Sequence, residues 1–185
     1  MSLEIEKKYR LTSNQYEYLL AELADVGANF KGEVFEENII YGGGVLNNSG
    51  AVLRVRKVAG KTILTFKRRL QSASGIKQNV EHETLVEDGG QLEKIIADLG
   101  FEPVIVYEKR RKTWRFRSVE IVLDELPFGL FMEIEGSANA IIEAEMIIGA
   151  EDFETENETY PRLTANFGSR SGGVLKARFS ESKGR

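Results

Sequence analysis

The sequence predicts an α+β fold, in which an antiparallel β-barrel of about eight strands is flanked by a few helices. Apolar and polar residues alternate with a period of two along most of the chain, as they do in half-buried strands. Several of these segments are joined by short turns, which favours antiparallel pairing. Helical spacing of apolar residues occurs in only a few places between them. Closure into a barrel would leave no exposed sheet edge.

The strand predictions rest on this alternation and on the turns between segments. In the first strand, Leu3, Ile5 and Tyr9 share one face, and charged residues occupy the other. A turn at Gly60-Lys61 joins two strands into a hairpin, and a proline–glycine turn at 127–129 separates two others. The segment 104–117 fits one long strand or two short ones. The strands are predicted at 3–10, 35–41, 51–58, 62–68, 77–86, 104–117, 120–123 and 130–135.

The helix predictions rest on capping residues and apolar spacing. Thr12 and Gln15 form a capping-box pattern ahead of apolar residues at helical spacing, and Gly27 is a plausible stop. Ser137 is a second candidate cap, and Gly100 a second stop. The helices are predicted between Thr12 and Gly27 and at 91–99, 138–148 and 160–167.

The length of 185 residues fits one globular domain, for which we expect the bounds 1–168. The remaining segment, 169–185, is rich in serine, glycine, lysine and arginine and has few large apolar residues. We therefore predict a basic, loosely ordered C-terminal tail.

Composition excludes several classes of protein. The chain has no cysteine, which excludes disulfides, thiolate catalysis and cysteine-ligated metal sites. His82 is its single histidine, so a two-histidine metal site is excluded and a Ser-His triad is disfavoured. The net charge of −4 argues against nucleic acid as a partner. The chain has no long apolar run and no signal peptide, so we expect a cytoplasmic protein with no membrane partner.

The charged residues are concentrated on one face of many strands. A solvated surface would explain any one pair, but such surfaces also carry uncharged polar residues. If the apolar faces pack outward under the helices, the charges line an interior that is wet or holds a charged ligand. Clustered cations suit a triphosphate, and clustered carboxylates suit Mg²⁺ or Mn²⁺. The set comprises seven acids, Glu4, Glu6, Glu81, Glu83, Asp124, Glu133 and Glu135, and six bases, Lys8, Arg54, Arg56, Lys67, Lys109 and Arg111.

The order of these charged motifs resembles the CYTH superfamily, named for bacterial class IV adenylyl cyclase and thiamine triphosphatase and also called triphosphate tunnel metalloenzymes. The resemblance rests on Glu-x-Glu-x-Lys at 4–8, followed by Leu-Arg-Val-Arg at 53–56, Thr-Phe-Lys at 65–67, Glu-His-Glu at 81–83, Lys-Arg-Arg at 109–111 and Phe-Met-Glu-Ile-Glu at 131–135. It spans roughly residues 1–167. It implies an eight-stranded antiparallel barrel forming a tunnel that binds a triphosphate with a divalent metal.

The resemblance also implies a role for each charged residue. Glu4 and Glu6 would bind or position metal, and Glu81 and Glu83 would place a metal or a water, so these four form the expected catalytic set. Asp124, Glu133 and Glu135 would be the principal metal ligands. The expected phosphate ligands are Lys8, Arg54, Arg56, Lys67, Lys109 and Arg111.

Two segments depart from the family pattern. Many relatives carry an Asp-Thr-Pro-like segment where this chain has three glycines, 42–44, and often Ser-Tyr where it has Thr159-Tyr160-Pro161. The first difference bears on the tunnel mouth, and the second on how the terminal helix closes the barrel. His82 alternates with two of the glutamates, so we expect it on the opposite face from the charged set.

The leading functional hypothesis is metal-dependent hydrolysis of a triphosphate that releases phosphate. Inorganic triphosphate is the favoured substrate, followed by thiamine triphosphate or a nucleoside triphosphate. Two alternatives stay open: a class IV adenylyl cyclase that converts ATP to cyclic AMP and pyrophosphate, and a polyphosphate-binding module without turnover. The resemblance leaves both a monomer and a homodimer open.

Overall fold

The computed structural model of the protein describes residues 5–70 and 78–180, with the backbone alone for 69–70 and 78–80. This part of the chain contains ten strands and five helices, which makes the fold α+β as predicted. The strands are β1 (Glu6–Leu11), β2 (Asn29–Gly42), β3 (Ala51–Val58), β4 (Lys61–Leu70), β5 (Gln78–Val86), β6 (Glu102–Phe116), β7 (Val119–Leu126), β8 (Gly129–Glu135), β9 (Ser169–Ser171) and β10 (Val174–Ala177). The helices are α1 (Ser13–Asp25), α2 (Leu46–Ser49), α3 (Gly89–Asp98), α4 (Ala138–Ile147) and α5 (Tyr160–Phe167).

The first eight strands follow the order β1-β8-β7-β6-β2-β3-β4-β5 in one sheet. β1 with β8, β8 with β7, β7 with β6, and β2 through β5 in turn pair antiparallel, which confirms the predicted pairing. β10 pairs in parallel with β6 and antiparallel with β9. Both of these short strands lie in the segment that the sequence predicted as a loosely ordered tail. In the structure, residues 169–171 and 174–177 of this segment are strand. The domain boundary at 168 stays a prediction.

The described residues divide into two compact units. One contains Glu36–Glu108 and Tyr160–Arg178, and we call it the β3–β5 unit. The other contains 5–35, Lys109–Thr159 and 179–180, and we call it the β7–β8 unit. β2 and β6 each contribute residues to both units.

The core of the β7–β8 unit lies between one face of its strands and two helices. Tyr9, Met132 and Leu123 are register partners across β1, β8 and β7, and all three are fully buried. Leu19 of α1 and Ile141 of α4 pack into the same cluster. Since side chains alternate along a strand, this arrangement leaves the neighbouring charged positions on the other face.

The β3–β5 unit repeats this arrangement with different helices. Val55 of β3 is fully buried, with Ile39 of β2 and Ile96 of α3 in the same apolar cluster. Near the C-terminal end of the unit, Arg178 contacts Glu37 at 2.5 Å and Glu108 at 2.6 Å. This double ion pair holds the end of the β10 segment against β2 and β6.

The predicted helix signals act as expected. Thr12 Oγ1 accepts a hydrogen bond from the backbone N–H of Gln15, and Gln15 Oε1 accepts one from the backbone N–H of Thr12, so the capping box is complete. Gly27 and Gly100, which follow α1 and α3, both have positive φ. α2 is a short helix at a place where the sequence predicted none. None of the helices in the described residues is both long and apolar enough to cross a lipid bilayer.

An extended segment, 154–158, runs beside β1. The Arg10 amide donates to the Glu154 carbonyl at 2.9 Å, and the Glu156 amide donates to the Lys8 carbonyl at 2.8 Å. The Arg10 side chain also donates to Glu156 Oε2 at 2.9 Å. Burial raises the pKa of Glu156, but hydrogen bonds from the Glu158 amide and from Arg10 outweigh it and hold the pKa below its ordinary value of 4.5.

Replacing the Thr12 hydroxyl should destabilise the fold. We expect Thr12→Ala to lower the free energy of unfolding by about 1 kcal/mol, because the Gln15 amide loses its acceptor. Chemical denaturation measures the change. Thr12→Ser keeps the oxygen and should retain most of the stability, so equal losses in the two variants would contradict the capping account.

Glu156 should make stability depend on pH. Its depressed pKa means that folding favours the ionised carboxylate, so the contribution is present above the ordinary pKa and disappears as the pH falls through the lower, folded-state value. We expect Glu156→Gln to cost on the order of 1 kcal/mol at pH 7 and progressively less in acid. Glu154→Gln is the control within the same segment. A penalty for Glu156→Gln that is independent of pH would refute the assignment.

Candidate functional site

In the β7–β8 unit, the charged face is built by strand register. Lys8 of β1 is paired with Glu133 of β8, and Arg111 of β6 is paired with Asp124 of β7. Lys109 precedes Arg111 by two residues and therefore lies on the same face. We call these five residues the Arg111 cluster. All five were predicted as site residues, and the structure brings them together.

Arg111 is the centre of this cluster. Its Nε donates to Asp124 Oδ1 at 2.7 Å and its Nη2 to Asp124 Oδ2 at 2.5 Å, which is the bidentate geometry of a strong ion pair. The same Nη2 donates to Glu133 Oε2 at 2.6 Å. Lys109 lies 3.5 Å from Asp124, and Lys8 lies 3.3 Å from Glu133. Two carboxylates are thus held among three cations.

The Arg111 cluster is largely withdrawn from water. Asp124 is fully buried, and only 5% of Lys109 and 9% of Lys8 is exposed. Lys8 also donates to the Glu158 carbonyl at 3.1 Å, which places the 154–158 segment at the border of the cluster. Because an unpaired buried charge is very costly, each member depends on the others.

The acidic members of the cluster suit a hard divalent cation. Asp124 and Glu133 each place one oxygen within 2.6 Å of the same Arg111 nitrogen, so these oxygens converge on one point. Mg²⁺ is commonly held by one or two carboxylates, with phosphate oxygens and waters as further ligands. Within the described residues, no three histidine, cysteine, aspartate or glutamate side chains form a metal site on their own. Asp124 and Glu133 are therefore the residues that would hold a metal together with ligand oxygens.

The remaining predicted acids of this unit form a separate row. Glu6 of β1 is paired with Glu135 of β8, and Glu135 is paired with Glu120 of β7. Glu6 and Glu135 are both exposed, in contrast to the buried Asp124. Glu4 lies outside the described residues. The metal-binding roles of Glu4, Glu6 and Glu135 stay predictions.

In the β3–β5 unit, two rows of predicted site residues cross the strands. Arg54, Thr65 and Glu83 are register partners across β3, β4 and β5, and we call them the Arg54 row. Two residues along, Lys67 and Glu81 are partners on β4 and β5, and Lys67 Nζ lies 2.8 Å from Glu81 Oε2. Cationic side chains of the kind that bind phosphate therefore share one face with carboxylates in this unit as well.

Arg56 extends this face toward β2. It is the register partner of Asn38, and its Nε lies 3.9 Å from Glu36 Oε2. Asn38 donates to the same Glu36 carboxylate at 3.3 Å, and both residues are buried. Among the described residues, the buried Nε atoms of Arg54 and Arg56 have no hydrogen-bond partner. Two adjacent guanidinium groups thus keep unused donors, which an anion would satisfy.

Tyr107 of β6 lies near these guanidinium groups. It is almost completely buried, and burial raises the pKa of its hydroxyl to about 12, while the charge of Arg54 opposes the rise. The hydroxyl therefore stays protonated at neutral pH and adds no negative charge next to Arg54.

Sequence reasoning identified thirteen charged residues of the site but did not single out Thr65, Asn38, Glu36 or Glu156. Thr65 alternates with Lys67 on β4, and Glu36 alternates with Asn38 on β2, so the period of two that located the charges could also have located these residues. Glu156 lies outside any regular strand, so no periodic signal indicated it. His82 pairs with Phe66 on the opposite face from Glu81 and Glu83, as predicted.

Comparisons with known proteins place this geometry in a family. The model of the CYTH domain matches residues 2–163. No curated protein matches the chain in sequence.

Several solved structures are similar to the chain. The PH1012 protein of Pyrococcus horikoshii OT3 is 26% identical, with 87% of this chain and 99% of that chain covered and a TM-score of 0.73. A Vibrio parahaemolyticus protein described as a "putative adenylate cyclase" is 18% identical, with 89% and 98% covered and a TM-score of 0.70. HpAC1 from Hippeastrum, described as a "putative adenylyl cyclase" with a dominant triphosphatase activity, is 17% identical, with 89% and 96% covered and a TM-score of 0.65. The last two likenesses concern the fold.

The family match extends over most of the sequence and includes every charged motif on which the resemblance rests. The chain therefore belongs to the CYTH domain family.

Proposed function

We propose that the protein hydrolyses a triphosphate with the help of Mg²⁺ or Mn²⁺ and releases phosphate. The substrate is inorganic triphosphate or an organic triphosphate, such as thiamine triphosphate or a nucleoside triphosphate. Membership of the CYTH family and the triphosphatase activity in the description of HpAC1 agree with this proposal.

The observation that carries the proposal is the pair of unused guanidinium donors on β3. The Nε atoms of Arg54 and Arg56 are buried and have no hydrogen-bond partner in the described part of the chain. A buried donor without an acceptor costs free energy, and phosphate oxygens are acceptors that match the fork of a guanidinium. Lys67 on the same face would add a point charge.

The Arg111 cluster supports the metal dependence. Asp124 and Glu133 would hold the cation, which would neutralise charge on the phosphate oxygens. Arg111, Lys109 and Lys8 would then bind phosphate oxygens. We propose this exchange of partners as the role of the three cations, since phosphoryl transfer depends mainly on positioning and on charge stabilisation.

The proposed reaction is an in-line displacement by water. The water oxygen bonds to the terminal phosphorus while the bond from that phosphorus to the bridging oxygen breaks. The bridging oxygen leaves with the diphosphate portion, and a water proton passes to a carboxylate of the expected catalytic set, Glu4, Glu6, Glu81 or Glu83. The side chains of Glu81 and Glu83 lie on the same face as Arg54 and Lys67.

A class IV adenylyl cyclase is the second candidate, because a neighbour with the same fold is described as a "putative adenylate cyclase". In a cyclase, the ribose 3′-oxygen would attack the α-phosphorus, and pyrophosphate would leave. Identification of the products from ATP separates the two functions, since hydrolysis yields ADP with phosphate.

Removing either guanidinium group should strongly reduce phosphate release. We expect Arg54→Ala and Arg56→Ala each to lower kcat/KM by about 10²-fold or more, because a charge-assisted contact to phosphate is lost. The assay follows phosphate release from inorganic triphosphate, ATP and thiamine triphosphate with Mg²⁺ or Mn²⁺.

Arg68→Ala is the matched control. Arg68 is an exposed arginine that follows Lys67 on β4, so its side chain lies on the opposite face from Lys67 and Arg54. If the folded wild-type protein released phosphate from none of the three substrates, the proposed function would be wrong.

Removing the buried carboxylate should weaken the metal dependence. We expect Asp124→Asn to shift the Mn²⁺ concentration needed for half-maximal activity upward by at least about tenfold, because a hard cation loses a charged oxygen ligand. Glu125→Gln is the control, since Glu125 is the next residue on β7 and pairs with exposed Arg110. Thermal unfolding of both variants checks that the protein still folds when Arg111 and Lys109 lose the charge of Asp124. Equal metal titrations for Asp124→Asn and the wild type would overturn the assignment.

A further inference from the structure

Thr65 lies between two charged residues of opposite sign. In the Arg54 row, it occupies the central strand, with Arg54 on one side and Glu83 on the other. Only 2% of Thr65 is exposed, although it carries a hydroxyl. The resemblance to the family gave roles to Arg54, Glu83 and Lys67 but none to Thr65.

The Thr65 hydroxyl is bonded to both neighbours. Arg54 Nη2 donates to Thr65 Oγ1 at 3.2 Å, and Thr65 Oγ1 donates to Glu83 Oε2 at 2.9 Å. A hydroxyl has one proton to donate, and the Thr65 hydroxyl donates it in the hydrogen bond to the Glu83 carboxylate. The lone pairs of the Thr65 oxygen therefore face the Arg54 guanidinium. The polarity of this chain of hydrogen bonds is therefore fixed by the two charged ends.

The hydroxyl keeps the two charges apart. Arg54 Nη2 and Glu83 Oε2 are 3.7 Å from each other, which is too long for a hydrogen bond. In the next row, Lys67 and Glu81 are direct register partners without an intervening strand, and they meet at 2.8 Å. The two rows thus differ in whether a neutral side chain separates the cation from the anion.

We propose that Thr65 is a positioning residue, a spacer that prevents Arg54 and Glu83 from closing into a directly hydrogen-bonded ion pair. The inference rests on the proposed function, in which Arg54 binds phosphate and Glu83 belongs to the catalytic set. With Thr65 in place, Arg54 gives Nη2 to the hydroxyl and keeps its buried Nε donor unused. Without the hydroxyl, the guanidinium would turn toward Glu83 and be drawn away from the phosphate.

The isosteric variant Thr65→Val tests the spacer. Valine has nearly the same shape as threonine but no hydroxyl, so Arg54 and Glu83 lose their shared hydrogen-bond partner. Calorimetry with inorganic triphosphate in metal-free buffer measures binding without turnover. We expect the dissociation constant to rise about tenfold in Thr65→Val and to stay near the wild-type value in Thr65→Ser, which keeps the oxygen.

Two further variants separate the spacer from a general effect of the substitution. Thr84→Val is the matched control, because the Thr84 side chain is exposed, lies on the other face and donates to the neighbouring Leu85 carbonyl. In Thr65→Val/Glu83→Gln the charge that would capture Arg54 is gone, so we expect binding to recover by at least about threefold over Thr65→Val. A double variant that binds as poorly as Thr65→Val would contradict the spacer.

A crystal structure of Thr65→Val gives a readout that does not depend on activity. We expect Arg54 Nη2 to lie within about 3 Å of a Glu83 oxygen, compared with 3.7 Å in the present structure. If the wild type neither binds nor hydrolyses any triphosphate, the proposed function fails, and the inference for phosphate binding fails with it. If the wild type binds and Thr65→Val binds equally well, or if the Arg54–Glu83 distance is unchanged, the spacer alone is overturned.

Discussion

The requirement that a buried charge has a partner of opposite charge governs this structure most strongly. Asp124 is completely withdrawn from water, yet it carries a carboxylate, and the bidentate contact with Arg111 makes this tolerable. The apolar positions that alternate with these residues fill the core under α1 and α4. Both faces of the strands in the β7–β8 unit therefore make specific contacts, one through apolar packing and the other through ion pairs.

The two units meet this requirement differently. In the β7–β8 unit, the carboxylates of Asp124 and Glu133 are engaged by Arg111, Lys109 and Lys8. In the β3–β5 unit, Arg54 and Arg56 retain buried nitrogen atoms without an acceptor among the described residues. One face therefore resembles a closed set of ion pairs, and the other retains buried donors that an anion would satisfy. The register partners of these two arginines are uncharged, since Arg54 lies opposite Thr65 and Arg56 opposite Asn38.

The sequence was informative where periodicity decides the structure. The alternation in β3 predicted its bounds and the shared face of Arg54 and Arg56, and the capping box predicted the start of α1. The sequence was less informative where contacts arise from distant segments. Arg111 contacts both Asp124 and Glu133 because of the register of three strands. Glu156 contacts Arg10 from an irregular segment. The strands β9 and β10 were missed because their few apolar residues gave no clear alternation, and pairing with β6 stabilises them.

The segment 154–158 has a consequence beyond its contact with Arg10. β1 pairs with β8 on one side, so its other side would present unpaired amide and carbonyl groups. The segment uses the Arg10 amide and the Lys8 carbonyl on that side through bonds to the Glu154 carbonyl and the Glu156 amide. A strand from another molecule that approached β1 would find these groups already occupied. An irregular stretch of chain, which carries no strand pattern of its own, thereby protects the protein against edge-to-edge aggregation.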